Sequence, residues 1–361
     1  MKFRYIAATT AALLILSPAA VAHAAPSTSG ATTVVDGLVG PLHLAVGPDK
    51  VVTVSEEFAS KLTKVRGTTK TQLYSAPDWD VAGVDYRGST LYFLESQGAG
   101  PDDQRPLAGS LKAIDNRGRV TTITNKLGAY ETSRNPDKNV QYGLSPADAA
   151  ANPGCVTQMG AVDFPASYAG ELDSHPYSLA IAGNTAYIAD AGMNAVLSVN
   201  LRTGSIHTVA VLPARPHKLT ATEATGAGLG DCAGLTYAFE SVPTDIEVGP
   251  DGWLYVSSLP GGPEDNSLGA RGTVFRVNPY TGRTQVYVTG ILSPTGLALD
   301  RSGNLYIASL FGAGVYKVAC GSHEARLFLP AVQASDVEVS GSTLYAATGA
   351  LGNGTLVSVR L

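Results

Sequence analysis

Acidic side chains recur at two positions of a pattern that is repeated along the chain. Six segments each combine an alternating apolar strand, a Gly/Asp/Asn turn and a second strand, which in five of them carries an aromatic residue near its start. Because side chains alternate across a strand, residues two apart point the same way. When the segments are aligned on the turn, five carboxylates share one face of the first strands, with no Lys or Arg at either position: Asp85, Asp245, Glu247, Asp336 and Glu338.

Carboxylates that converge in this way repel one another unless a cation or bound protons intervene. A hard cation held by oxygen ligands, above all calcium, suits such a group. A water-filled acidic channel, in which each carboxylate is hydrated separately, is the simpler alternative. The sequence requires no cofactor, and calcium is the one that these five side chains would suit.

A second set of polar residues is predicted to form a ligand-binding rim. Glu95 and Asp190 end the second strands of their repeats, whereas Asp173 and His175 stand in the run DSHPY before a first strand. A histidine beside carboxylates can act as a general base or as a metal ligand, so His175 is the weak catalytic candidate. The alternative is structural, because the repeat often ends this strand in a polar residue and a lone loop histidine often only donates hydrogen bonds.

The repeats that must position these residues indicate an all-β fold. The chain contains 40 Gly and 16 Tyr, and only 15% of its residues are charged, a composition rich in turns and strands. Each repeat continues into a third and a fourth strand, and the shortest period of about 40 residues is typical of a propeller blade. We therefore predict a six-bladed β-propeller over 25–361, with repeats that start at Pro41, Gly83, Pro176, Pro243, Pro294 and Ser335.

The last repeat ends after three strands, so a fourth must come from elsewhere. Residues 31–38, ATTVVDGL, match the strand that precedes another repeat. We expect this N-terminal strand to complete the last blade and close the ring, which removes free sheet edges.

Two insertions, 127–174 and 213–242, are expected to cap one rim of the propeller. They carry Cys155 and Cys232, and a bridge between these two cysteines would join the halves of the cap. Cys320 would then be left over. The alternative is that all three remain thiols.

The N-terminus reads as an export signal. Lys2 and Arg4 precede an apolar run over 6–16, and Ala22-His23-Ala24 forms an A-x-A cleavage pattern. We therefore expect residues 1–24 to be removed and the mature protein to be secreted, where disulfides persist. A net charge of −5 without basic runs argues against nucleic-acid and membrane partners, and a monomer is expected.

The blade pattern resembles NHL-type repeats, and three runs look like the ScyD/ScyE family of exported bacterial proteins. These runs are DSHPYSLAI, TGAGLGDCAGLTYAFESVPTDIEVGPDGWLYVSSLPGG and GTVFRVNPYTG. The resemblance implies a fold but supplies no catalytic motif.

Two functions remain open from the sequence, and it does not decide whether the protein is an enzyme. One is a binding or accessory protein whose capped rim recognises a small molecule, a glycan or a protein. The other is a divalent-cation-dependent hydrolase or lactonase that acts on a small ester, with Asp245, Asp336 and Glu95 among the metal ligands and His175 as the base. No G-x-S-x-G or H-E-x-x-H motif points to a different catalytic class.

Overall fold

The computed structural model describes residues 30–100 and 103–361. Residues 1–29, and with them the predicted signal peptide, lie outside this part of the chain. Within the described residues the structure consists of strands joined by turns, with four short α-helices that all lie in the two insertions. The helices are α1 (Leu127–Arg134), α2 (Pro146–Ala151), α3 (Pro153–Ala161) and α4 (Ala221–Gly226).

The strands follow the predicted repeats closely. In chain order, the first half contains β1 (Thr32–Leu38), β2 (Pro41–Val46), β3 (Val52–Glu56), β4 (Lys61–Arg66), β5 (Thr69–Ser75), β6 (Asp80–Arg87), β7 (Thr90–Gln97), β8 (Ala108–Ile114), β9 (Val120–Thr124), β10 (Gln141–Gly143), β11 (Ser167–Ala169), β12 (Pro176–Ala182), β13 (Thr185–Asp190), β14 (Ala195–Asn200) and β15 (Ile206–Val211). The second half contains β16 (Arg215–Lys218), β17 (Thr236–Phe239), β18 (Pro243–Val248), β19 (Leu254–Ser258), β20 (Gly272–Val277), β21 (Thr284–Ile291), β22 (Pro294–Leu299), β23 (Leu305–Ser309), β24 (Gly314–Val318), β25 (Ala325–Pro330), β26 (Asp336–Ser340), β27 (Thr343–Thr348) and β28 (Gly354–Arg360).

These strands form seven four-stranded sheets among the described residues, all paired antiparallel. Five sheets are made of consecutive strands, namely β2–β5, β6–β9, β12–β15, β18–β21 and β22–β25. A sixth has the order β1-β28-β27-β26, so that the N-terminal strand pairs with the last strand of the chain, for example Thr32 with Ser358. The seventh, β11-β10-β17-β16, is built from strands of both insertions.

The first strands of six sheets contact one another in a closed cycle. The order is β2, β6, β12, β18, β22 and β26, and β26 contacts β2 again. Apolar side chains fill the spaces between neighbouring sheets; Ala180 and Val196, for example, pack with Ile246 and Phe275 of the next sheet. The expected all-β fold of the propeller type is confirmed, with one four-stranded sheet more than the six that the repeats predicted.

The insertion sheet lies over a small core of its own. Cys155 of α3 and Cys232 form a disulfide across 77 residues of sequence, as the sequence predicted. Both cysteines are buried in a cluster with Met159 and Tyr237, and Cys320 is an exposed free thiol. The bridge thus joins the two insertions. No helix among the described residues is long and apolar enough to cross a membrane.

Candidate active site in the axial cavity

The carboxylates of the repeat connect neighbouring first strands. In each of three cases, an aspartate accepts a hydrogen bond from a backbone amide of the next first strand in the cycle: Asp85 from Ile181 at 2.6 Å, Asp245 from Leu297 at 2.5 Å and Asp336 from Leu44 at 2.7 Å. Asp245 also accepts from the Ser178 hydroxyl, at 2.5 Å. These side chains therefore stabilise the ring by joining one sheet to the next.

The same carboxylates influence one another's protonation. Burial raises the pKa of Asp85 to about 6 and that of Asp245 to about 7. Burial, reinforced by neighbouring carboxylates, raises the pKa values of Glu247, Asp336 and Glu338 well above their usual range. Bound protons thus offset part of the charge near neutral pH, and calcium among these residues remains a prediction.

A cavity of about 530 Å³ lies at one end of the ring. Each of the six first strands, or the residue just before it, lines the cavity: Leu42, Asp80, Tyr177, Thr244, Thr295 and Ser335. The cavity is therefore axial, and it includes two of the four predicted rim residues, Asp173 and His175.

Three titratable residues meet on one side of this cavity. Asp80 begins β6, His175 immediately precedes β12, and Glu57 follows β3. His175 Nε2 lies 2.5 Å from Asp80 Oδ2, and the carboxyl group of Glu57 lies beside both. One ligand atom from each of the three residues lies within 4.8 Å of the other two. We refer to Glu57, Asp80 and His175 as the acid–base cluster.

The environment of the cluster shifts the pKa of each member. Burial and then the charge of Asp80 raise the pKa of Glu57 well above its usual range, which favours its protonated form. Burial alone would raise the pKa of Asp80, but the charge and hydrogen bond of His175 and the contact with Glu57 bring it below its usual value. Burial lowers the pKa of His175, yet the Asp80 carboxylate outweighs that effect and raises it overall.

A second histidine stands next to the cluster. Burial lowers the pKa of His43 to about 3, so its imidazole is neutral. Its Nε2 lies 3.7 Å from Glu57 Oε2, and neither atom has a hydrogen-bond partner within the described part of the chain. The ring packs edge-on against Tyr177, with centroids 4.4 Å apart. Two buried polar atoms thus lie next to the cluster without partners.

Asp190 positions His175 and does not line the cavity. Its carboxylate accepts hydrogen bonds from the backbone N of His175 at 2.8 Å, from the Ser174 hydroxyl at 3.0 Å and from the backbone N of Met193 at 3.1 Å. Three donors on one carboxylate hold the segment before β12 in place, and so determine where the imidazole lies.

Glu95 lies away from the cavity. Its carboxylate forms a buried ion pair with Lys112 and accepts a hydrogen bond from the Tyr74 hydroxyl at 2.6 Å. The Tyr74 contact joins the sheet β2–β5 to the sheet β6–β9. Together the two contacts account for the buried Glu95 carboxylate without a role in ligand binding.

The acid–base cluster fits a divalent cation chemically. Two carboxyl groups and an imidazole resemble the donor sets that hold zinc or manganese, whereas calcium prefers six to eight oxygen ligands. The unpartnered Glu57 Oε2 and His43 Nε2 add further donor atoms at the same place.

Comparisons with solved structures agree with this fold. The structure is similar to a gluconolactonase from Xanthomonas campestris, with a TM-score of 0.56 and 14% identity over 91% of this chain and 88% of the other. It is similar to the soluble aldose sugar dehydrogenase of Escherichia coli, with a TM-score of 0.53 and 12% identity over 91% and 99%. It is also similar to the PQQ-bound aldose sugar dehydrogenase of Streptomyces coelicolor, with a TM-score of 0.51 and 12% identity over 93% of this chain and 100% of the other.

These similarities show the fold: the protein is a β-propeller, a fold that is also found in a lactonase and in sugar dehydrogenases. At 12 to 14% identity they do not transfer an activity. No protein-family model matches the sequence, and no curated protein matches it significantly.

Proposed function

We propose that this chain is a secreted hydrolase of small esters, lactones included, and that the axial cavity is its active site. We further infer that six of the sheets are the blades of a propeller, because their first strands close a cycle. The seventh sheet is then part of a cap. The observation that carries the function is the partly buried contact between Asp80 and His175 on the wall of an axial cavity.

The arrangement suits general acid–base catalysis. Asp80 holds Nε2 of His175, which leaves Nδ1 as the nitrogen available to water. In its neutral form, the imidazole takes a proton from water as the water oxygen attacks the ester carbonyl. The resulting imidazolium, stabilised by Asp80, then gives that proton to the departing alkoxide. Ester and water thereby become acid and alcohol, and both side chains return to their starting states.

A divalent cation held by the acid–base cluster is a second form of the same proposal. Such a cation, when bound, polarises an ester carbonyl and lowers the pKa of water. The donor set of the cluster supports it, and zinc, manganese and calcium are the ions to test. In this form Glu57, Asp80 and His175 would hold the ion.

Hydrolysis of a panel of esters and lactones by the purified protein tests the function, with and without a chelator and with the metal content measured. His175→Ala and Asp80→Asn are expected to lower kcat/KM at least about a hundredfold. His217→Ala is the matched control, because His217 also contacts a carboxylate, Glu223 at 3.2 Å, but does not line the cavity.

The outcomes separate the functions that the sequence left open. Turnover that both cavity variants retain would refute the proposal. Wild-type protein that binds cavity ligands and hydrolyses none of the panel would favour the binding or accessory function. Loss of activity with the chelator, and its return with one metal, would identify the cation-dependent form.

A further inference from the structure

The side chains of the axial cavity differ in character between its depth and its mouth. In the acid–base cluster the side chains of Glu57, His175 and Asp80 are 9%, 15% and 30% exposed, whereas three of the apolar lining residues are more exposed: Phe58 at 45%, Leu351 at 44% and Phe311 at 37%. Buried apolar side chains such as Leu42 and Leu310 continue the same wall. A ligand that reaches the cluster must therefore lie against apolar surface along its length.

The titratable groups of the lining are mostly carboxyl groups. Glu57, Asp80, Asp173 and Glu264 face the cavity, and the described residues that line it include no lysine or arginine. His175 is the one group there that can carry positive charge, and Asp80 already pairs with it. Apart from this paired histidine, the described residues of the lining offer no basic group to receive an anion, and the carboxyl groups disfavour one.

The serine and threonine hydroxyls of the cavity are mostly engaged. Thr244 donates to the backbone oxygen of Pro294 at 2.8 Å, and Ser335 donates to that of Pro41 at 2.5 Å. Thr295 is different, because its Oγ1 is buried and has no hydrogen-bond partner among the described residues. A buried hydroxyl without a partner costs free energy, and a rotation of the Thr295 side chain towards the cavity would let a ligand oxygen recover that cost.

From these observations we propose that the substrate is an uncharged molecule with an apolar body, and that Thr295 donates a hydrogen bond to its carbonyl group. Alkyl-substituted lactones and esters fit this description, whereas sugar lactones and substrates that carry a carboxylate do not. The carboxyl groups of the cavity would also repel the acid product and so favour its release. That such a molecule is hydrolysed rests on the proposed function, whereas its binding in the cavity does not.

Cyclic ketones test the binding separately from the chemistry, because they keep the ring carbonyl and cannot be hydrolysed. Affinities for cyclohexanones with alkyl chains of increasing length are measured by calorimetry on the full mature chain. Each methylene buried in the cavity is expected to tighten binding about fourfold. A cyclohexanone that carries a carboxylate on its chain is expected to bind at least about tenfold more weakly than its uncharged counterpart.

Variants then locate the contacts. Phe58→Ala is expected to remove most of the dependence on chain length, and Tyr280→Ala, at an aromatic residue that is 92% exposed and outside the cavity, is expected to leave it unchanged. Thr295→Val is expected to weaken ketone binding about fivefold. Thr295→Ser, which keeps the hydroxyl, is expected to restore it.

Three results would overturn the inference: ketones that do not bind, a carboxylate analogue that binds as tightly as the uncharged one, or glucono-δ-lactone that binds more tightly than an alkyl lactone. Ketone binding without hydrolysis of any ester would leave the ligand class standing and refute the proposed reaction. Hydrolysis that favours sugar lactones would support the proposed reaction and refute the proposed ligand class.

Discussion

The carboxylates that join neighbouring first strands should make the protein less stable as the pH rises towards neutrality. Asp245 is 5% exposed, and its pKa is raised from 3.8 to about 7 in the folded protein. In the unfolded chain the same group ionises near its usual pKa. Between about pH 4 and pH 7 the folded protein therefore binds more protons than the unfolded one, and the free energy of unfolding falls as the pH rises.

The size of the effect follows from the two pKa values. A difference of about three pH units, at about 1.4 kcal/mol per unit, corresponds to about 4 kcal/mol of stability that is present below pH 4 and lost by pH 7. The pKa of Asp85 is also raised, to about 6, and that of Asp336 is raised well above its usual range. Both raised pKa values likewise lower the free energy of unfolding as the pH rises.

Urea unfolding at a series of pH values, with the disulfide intact and a chelator present, measures this dependence. Asp245→Asn removes one titrating group and is expected to flatten the slope by about one proton over the window. Asp49→Asn, at an exposed aspartate, is the matched control and should leave the slope unchanged.

Two results would refute this reasoning: a wild-type stability that stays level or rises from about pH 4 to pH 7, or an Asp245→Asn variant with the wild-type slope. The same measurement with added calcium tests the channel cation that the sequence suggested. If calcium lies among these carboxylates, it should raise the stability near neutral pH, and Asp245→Asn should remove that gain.

Other predictions concern the framework around the site. Cys155→Ser opens a loop of 77 residues and is expected to lower the free energy of unfolding by about 4 kcal/mol in urea titrations, whereas Cys320→Ser should change it little. Lys112→Met leaves the buried Glu95 carboxylate without its cation, and a loss of about 3 kcal/mol or more is expected at neutral pH. An unchanged urea midpoint would contradict either prediction. Deletion of residues 30–38 exposes the edge of β28, so size-exclusion chromatography should show aggregates and the melting temperature should fall; a monomer with the wild-type melting temperature would contradict this.

The sequence by itself determined most of the framework, because strand alternation and turn residues are local signals that repeat. The six predicted starts fall within a few residues of β2, β6, β12, β18, β22 and β26. The missing fourth strand of the last repeat was correctly assigned to the N-terminus, since an unpaired edge must be covered. The Cys155–Cys232 pairing also followed from the position of the two insertions.

Only the tertiary structure decided how the insertions fold and which residues form the cluster. The strands of the seventh sheet have three or four residues each, too few to show a period, and they pair across segments far apart in the chain. Glu57 and Asp80 lie outside the two repeat positions at which carboxylates were compared. The sequence offered one signal for Asp80: like His175, it lies just before the start of a repeat.

The predicted acidic residues show the same difference between what the sequence determines and what the tertiary structure determines. Alternation predicted a common face for Asp85, Asp245 and Asp336, but the neighbouring amides that they bind belong to other repeats. Whether a carboxylate meets an amide, a lysine or a histidine depends on contacts between residues distant in sequence. Ring closure creates those contacts, so the chemistry of the cavity became visible only in the folded protein.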